Sequence, residues 1–215
     1  MKILALEFSS AQRSVAIACD GVHVREAIES GRGNTMQPFA MIESVLADAQ
    51  VAREAVERIV VGLGPGSYTG IRAGIALAQG WQLARNVQLA GVSSAEAIAA
   101  QAHADGLRSR VNVVIDAQRG EFYLGVWELS DETHREASPL RIVSWEALDS
   151  LAQAGEPIIG PEVTRWFATG RTVFPRAAML AKLARWSKAP DDGASLEPIY
   201  LRETAFVKAP PPREV

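Results

Sequence analysis

The stretch richest in chemical potential is Gly62-Leu63-Gly64-Pro65-Gly66-Ser67-Tyr68-Thr69-Gly70-Ile71-Arg72-Ala73-Gly74. It follows an apolar run and opens a helical pattern, so it reads as the turn from a buried strand into a helix. Glycines there allow a tight turn, and the free N–H groups of a helix start can hold an anion. Ser67 or Thr69 is placed to cap that helix. The segment lacks the Gly-Lys-Ser/Thr ending that brings a lysine to phosphates, and it departs from GxGxxG spacing. Two readings stay open: close packing of helix on strand, or a remnant nucleotide or anion loop. Gly64, Gly66 and Ser67 would form that loop, with Ser9 and Ser10 after the first strand and Asp116 and Arg119 later in the chain.

Other catalytic sets are sparse. The three histidines, His23, His103 and His134, show no ligand spacing such as two rings four apart on one helix, so no metal centre is expected. Cys19 is the single cysteine, which excludes an internal disulfide or a CxxC motif and suits a reducing compartment. It reads as a small core residue. No GxSxG elbow is present. A net charge of −3, from 22 basic and 25 acidic residues, argues against a lone nucleic-acid binder. No apolar run approaches the ~20 residues of a membrane span, and no signal peptide is visible, so the expectation is a cytoplasmic protein.

The elements that must position these residues follow from apolar periodicity. Residues 2–8, 14–19 and 22–28 read as strands, the last two joined by Asp20-Gly21, a two-residue hairpin signal. Residues 35–50 read as a helix with Phe39, Ile42, Leu46 and Ala49 as its core stripe and Met41 and Val45 as a second apolar line. A strand at 58–63, a helix at 69–84, a strand at 87–92 and a helix at 94–103 complete a β-β-β-α-β-α-β-α order. In helix 69–84, Gly70, Gly74 and Ala78 lie four apart on one face. That stripe serves either close packing on the chain's own sheet or a helix–helix contact with a second protein. The second half restarts with strands at 111–117 and 121–129, a third strand at 140–144, a helix at 145–153, a strand at 157–160 and an amphipathic helix at 177–188. The division is therefore an N-terminal lobe at 1–108, a C-terminal lobe at 109–208 and a loose tail at 209–215. Asp116, Arg119 and Glu121 follow the first strand of the second lobe, as a remnant nucleotide site, an inter-lobe charge cluster or a solvated turn whose pairs are worth under ~1 kcal/mol each. Arg176, Lys182, Arg185 and Lys188 form a basic face near the last helix, either solvated or in contact with an acidic partner or RNA.

Several segments together resemble the TsaB (YeaZ) family: ILALEFS followed by SVAIA, VGLGPGSYTGIRAGIALAQG, VQLAGVSSAEAIA, IDAQRGEFY at 115–123, and Pro198-Ile199-Tyr200-Leu201-Arg202. The resemblance is strongest over residues 1–100. It implies an α/β fold of the actin, sugar-kinase and Hsp70 (ASKHA) type, with two βββαβα lobes around a cleft. It also implies a non-catalytic subunit that binds a larger catalytic paralogue, TsaD, and works with the ATPase TsaE to place threonylcarbamoyl on the adenosine next to the tRNA anticodon. tRNA would be met only through the complex. No cofactor would be required, with ATP or ADP at the assembled complex, and a homodimer would form when TsaD is absent. The first-lobe helices carry the contact in that family, which maps the partner interface onto Met36, Phe39, Met41, Val45, Gly70, Gly74, Leu77, Ala78 and Trp81. The chain departs from the family in two places. Glu7 stands where the first strand of this fold often ends in aspartate, and Asn34-Thr35-Met36 replaces a His-Ser-Glu stretch. An ATPase or kinase of the same fold and a glycoprotease-like peptidase are the competing readings.

Overall fold

The computed structural model describes residues 1–20, 23–31, 37–185 and 196–202. The chain builds two five-stranded sheets of the same plan. In the first, β1 (Lys2–Glu7), β2 (Gln12–Cys19) and β3 (His23–Ser30) form an antiparallel meander. β4 (Arg58–Gly62) and β5 (Gln88–Val92) then add in parallel on the other side of β1, giving the order β3-β2-β1-β4-β5. The parallel steps require helical crossovers, supplied by α1 (Pro38–Asp48) before β4 and α2 (Tyr68–Arg85) before β5. α3 (Ser94–Ala104) follows β5.

The second sheet repeats the plan. β6 (Arg110–Gln118), β7 (Glu121–Leu129) and β8 (His134–Ser144) form the meander, and α4 (Trp145–Gln153) leads to β9 (Ile158–Gly160) and β10 (Arg171–Thr172). The order is β10-β9-β6-β7-β8, with β6–β9 and β9–β10 parallel. Two copies of this lobe are the ASKHA architecture expected from the sequence.

The lobes are joined by helices as well as by the chain. On α3, Ala97 and Ala100 pack with the first sheet, while Ala95, Ile98, Ala99 and Ala102 pack against Val111, Val113 and Ile115 of the second. α5 (Ala177–Ala184) returns to the first lobe. Its Ala177, Leu180, Ala181 and Ala184 are buried against Ile3, Ala5, Ala16 and Ala18. Glu26 of β3 fixes its start, pairing with Arg176 and accepting the Ala178 amide at 3.2 Å. α5, which lies beyond residue 108 in the chain, thus packs on the first lobe, because its apolar side has its matching surface on the first sheet.

Three other details differ from the sequence expectations. α1 starts at Pro38, in the first turn, where a missing N–H costs nothing. β8 reaches back to His134, and β10, two exposed residues long, carries no periodic signal. Asp20 adopts φ 50° as the hairpin requires. Met36 and the Asn34-Thr35-Met36 departure, Lys188 and the tail at 209–215 lie outside the described residues.

Candidate functional site

The Gly-rich loop is locked from both sides. Ser67 caps α2 by accepting the Gly70 amide at 3.3 Å. The Ser67 amide donates to the Ser9 carbonyl at 2.7 Å, and the Gly64 amide donates to Ser94 Oγ at 3.1 Å. Three loop amides are therefore already used. A Cβ on Gly70 would lie 2.0 Å from the Phe8 carbonyl oxygen, and one on Gly66 2.2 Å from that of Ser9. The exit of β1 thus runs directly against the loop, and these glycines exist to admit it.

Glu7, at the end of β1, is fully buried. Its Oε1 accepts the Ser9 amide at 2.7 Å, and its Oε2 accepts Ser94 Oγ at 2.9 Å. The side chain lies over Gly62, where a Cβ would stand 2.0 Å from Oε2. Burial raises the carboxyl's pKa above the usual carboxylate range, with the Ser9 and Ser94 hydrogen bonds opposing. The residue that replaces the expected aspartate is therefore a tie between β1, the loop and the start of α3, and it does not line the cleft.

A cleft of about 480 Å³ separates the lobes. Ser9, Ser10, Arg13, Gly66, Ser67 and Tyr68 line one wall, and Ile115, Asp116, Gln118, Tyr123, Pro161 and Glu162 the other. Of the residues considered for an anion loop, Ser9, Ser10, Gly66, Ser67 and Asp116 meet here, whereas Gly64 and Arg119 stand off the lining. Asp116 is engaged locally, accepting the Gln118 amide at 2.7 Å and its side-chain amide at 3.0 Å. Arg13 Nε is buried without a hydrogen-bond partner among the described residues. Across the cleft mouth runs the segment 196–202: Ile199 N–H donates to the Leu63 carbonyl at 2.8 Å, and Arg202 reaches the carbonyls of Ala117 at 3.1 Å and Gln118 at 3.2 Å and pairs with Glu121. That strap, which fastens the last segment to both lobes, carried no periodic signal in the sequence.

A second concavity, a groove of about 600 Å³, lies between α1 and α2. Phe39, Ile42, Leu77, Gly80, Trp81 and Ala84 give it an apolar floor, and the Arg53–Glu43 and Arg85–Glu54 pairs edge it. Phe39 is 67% exposed, contrary to its place in the expected core stripe, and Leu83 on α2 is 90% exposed. Met41 and Val45 are buried in the first core, as are Gly70, Gly74 and Ala78. A Cβ on Gly74 would stand 3.2 Å from Val61 Cγ1, so the small-residue stripe serves the chain's own sheet. Of the interface expected from the resemblance, Phe39, Leu77 and Trp81 line the groove. Met41, Val45, Gly70, Gly74 and Ala78 are turned inward, because their stripe is the face that the sheet covers. Gly80, unremarked in the sequence, sits exposed on the groove floor with open space around its Cβ position.

The fold also brings together two histidines from distant positions. The rings of His103 and His134 lie 5.8 Å apart, and His103 Nε2 is 2.7 Å from the Ser130 carbonyl. Burial, then the neighbouring His103, lowers the His134 pKa. Among the described residues no group of three or more His, Cys, Asp or Glu is placed to hold a metal ion. No helix there is long and apolar enough to cross a membrane.

Comparison with known proteins fits this geometry. The sequence model of the family described as TsaD: tRNA N6-adenosine threonylcarbamoyltransferase matches residues 8–199. The tRNA threonylcarbamoyladenosine biosynthesis protein TsaB of Bacillus subtilis is 29% identical, with 94% of each chain covered. Its Escherichia coli namesake is 28% identical over the whole of both chains. An uncharacterized Mycobacterium tuberculosis protein is 34% identical over 74% of this chain and 70% of its own. The crystal structure of an uncharacterized protein with similarity to peptidase YEAZ from Pseudomonas aeruginosa superposes with a TM-score of 0.77 at 27% identity, covering 94% of this chain and 99% of that one. With two matched lobes, the family's loop and strap segments in contact, and a family match across most of its length, the chain belongs to the TsaD family, on its TsaB (YeaZ) branch.

Proposed function

We propose that this chain is a non-catalytic partner subunit in tRNA threonylcarbamoyladenosine biosynthesis, docking on the larger paralogue TsaD through the α1–α2 groove. The pathway is the one named for its curated relatives. The observation that carries the docking reading is Gly80. An interior helical glycine costs roughly 1 kcal/mol relative to alanine, yet none of the described residues requires it, since nothing among them lies within 4 Å of its Cβ position. It lies between Leu77, Trp81 and Ala84 on an apolar floor, opposite an exposed Phe39. A second helix laid in the groove uses both features: the glycine permits close approach and Phe39 packs against it.

The cleft supports no independent chemistry in this reading. The Gly64, Ser67 and Gly70 amides are spent on the fold, and Glu7 is turned into the interior. A kinase or ATPase would need those groups, and a peptidase of the metal-dependent kind would need a ligand cluster. The reading assigns no cofactor to this chain and leaves ATP or ADP, and the ATPase TsaE, to the assembled complex. The same groove pairs two copies of the chain when the paralogue is absent.

Gel filtration of the purified chain mixed with the larger paralogue tests the proposal. A one-to-one peak is expected, together with no turnover by the chain alone. Separate peaks at every concentration, with and without nucleotide, would overturn it.

A further inference from the structure

The cleft rim carries an aromatic and cationic cluster that groove docking does not use. Tyr68 opens α2 and is 56% exposed, and Tyr200 of the strap, 41% exposed, stacks on it with ring centroids 5.4 Å apart at 27°. Arg72, one helical turn on, donates to the Tyr68 hydroxyl at 2.8 Å, with its guanidinium carbon 5.1 Å from the ring centre. The strap also holds the β6–β7 turn at this rim, since Arg202 binds the Ala117 and Gln118 carbonyls, and that turn exposes Arg119 at φ 60°. Neither Arg72 nor Arg119 pairs with a carboxylate among the described residues. Tyr68 is nine positions from Leu77, about two and a half helical turns, so it lies across α2 from the groove. A partner seated in the groove leaves this rim open.

Half-exposed aromatic rings beside a guanidinium that pairs with no described carboxylate match an unstacked nucleobase on a phosphate chain. The net charge of −3 suits a contact that acts within a larger RNA-holding assembly and not alone. We infer that Tyr68, Arg72 and Tyr200 contact an unpaired nucleotide of the tRNA when the chain is in its complex. This rests on the reading that the chain serves tRNA modification with a larger paralogue.

The test is fluorescence anisotropy of labelled tRNA titrated with the reconstituted complex, each variant complex first checked by gel filtration. Tyr68→Ala and Tyr200→Ala are expected to raise Kd about 5- to 150-fold, the range of one lost base stack. Tyr68→Phe, which keeps the ring, is expected to stay within about twofold of wild type. Two assembled alanine variants that bind tRNA as wild type does would overturn the inference alone. Alanine variants that no longer assemble, or that lose only Mg-ATP binding, would assign the rim to protein or nucleotide contact and overturn it too. A wild-type complex that binds no tRNA would remove the underlying functional reading as well.

Discussion

Ser94→Ala is expected to unlock the junction of β1, the Gly-rich loop and α3. Ser94 Oγ donates to Glu7 Oε2 at 2.9 Å and accepts the Gly64 amide at 3.1 Å, so its loss strands a buried carboxylate oxygen and a buried N–H together. Each stranded group costs roughly 1–3 kcal/mol, so the pair costs about 2–6 kcal/mol. For a chain of this size each kcal/mol lowers Tm by roughly 2–4 °C. Glu7 gives the same junction a pH signature. Its folded pKa lies above the usual carboxylate value, so between the unfolded pKa and the raised folded one the native state binds more protons than the unfolded state. The contribution of Glu7 to stability is therefore fully present below the unfolded pKa and is lost as pH rises through that window, by at most about 1.4 kcal/mol per pH unit. Urea unfolding from pH 4.5 upward on wild type, Ser94→Ala and Glu7→Gln reads both effects. Ser94→Ala should lose stability, and Glu7→Gln should flatten the acid-side slope. A Ser94→Ala protein within ~0.5 kcal/mol of wild type, or a slope unchanged in Glu7→Gln, would refute the reasoning.

Other substitutions separate packing from docking. Gly70→Ala drives a Cβ to 2.0 Å from the Phe8 carbonyl oxygen, and a loss of ~3 kcal/mol or more is expected in chemical denaturation, with pairing lost only through unfolding. Gly74→Leu should behave likewise, because its space is filled by Val61 and Phe8. Arg202→Ala removes the strap's hold on the β6–β7 turn, and amide exchange at residues 117–121 should quicken while exchange in β1 and β4 stays slow.

The sequence made the lobes legible because each strand is a short apolar run ended by turn residues, and each crossover helix has a clear stripe. It was ambiguous where one pattern serves two purposes. Gly70, Gly74 and Ala78 share a face, but spacing cannot say whether a sheet or a partner covers it; the Phe8 carbonyl and Val61 decide for the sheet. Phe39 has core spacing yet stands exposed, since α1 turns Met41, Ile42, Val45 and Leu46 inward instead. Glu7 gave no sign of burial, because its two donors come from Ser9 nearby and Ser94 in a distant element. Gly80 carries no signal in the sequence, because what sets it apart is that nothing among the described residues lies near its Cβ position. The strap at 196–202 has no periodicity because it is held by backbone hydrogen bonds, one tyrosine stack and an arginine.

Gly80→Glu tests the docking claim most directly. The substitution has room for its side chain and replaces a poor helix former, so the fold should be kept or gain up to ~1 kcal/mol. A charge is thereby set in the middle of the apolar groove floor. Calorimetric titration against the larger paralogue should show one-to-one binding by wild type and a Kd at least ~30-fold weaker for Gly80→Glu, the scale of an interface hot spot. An unchanged Kd from a well-folded Gly80→Glu chain would contradict the account.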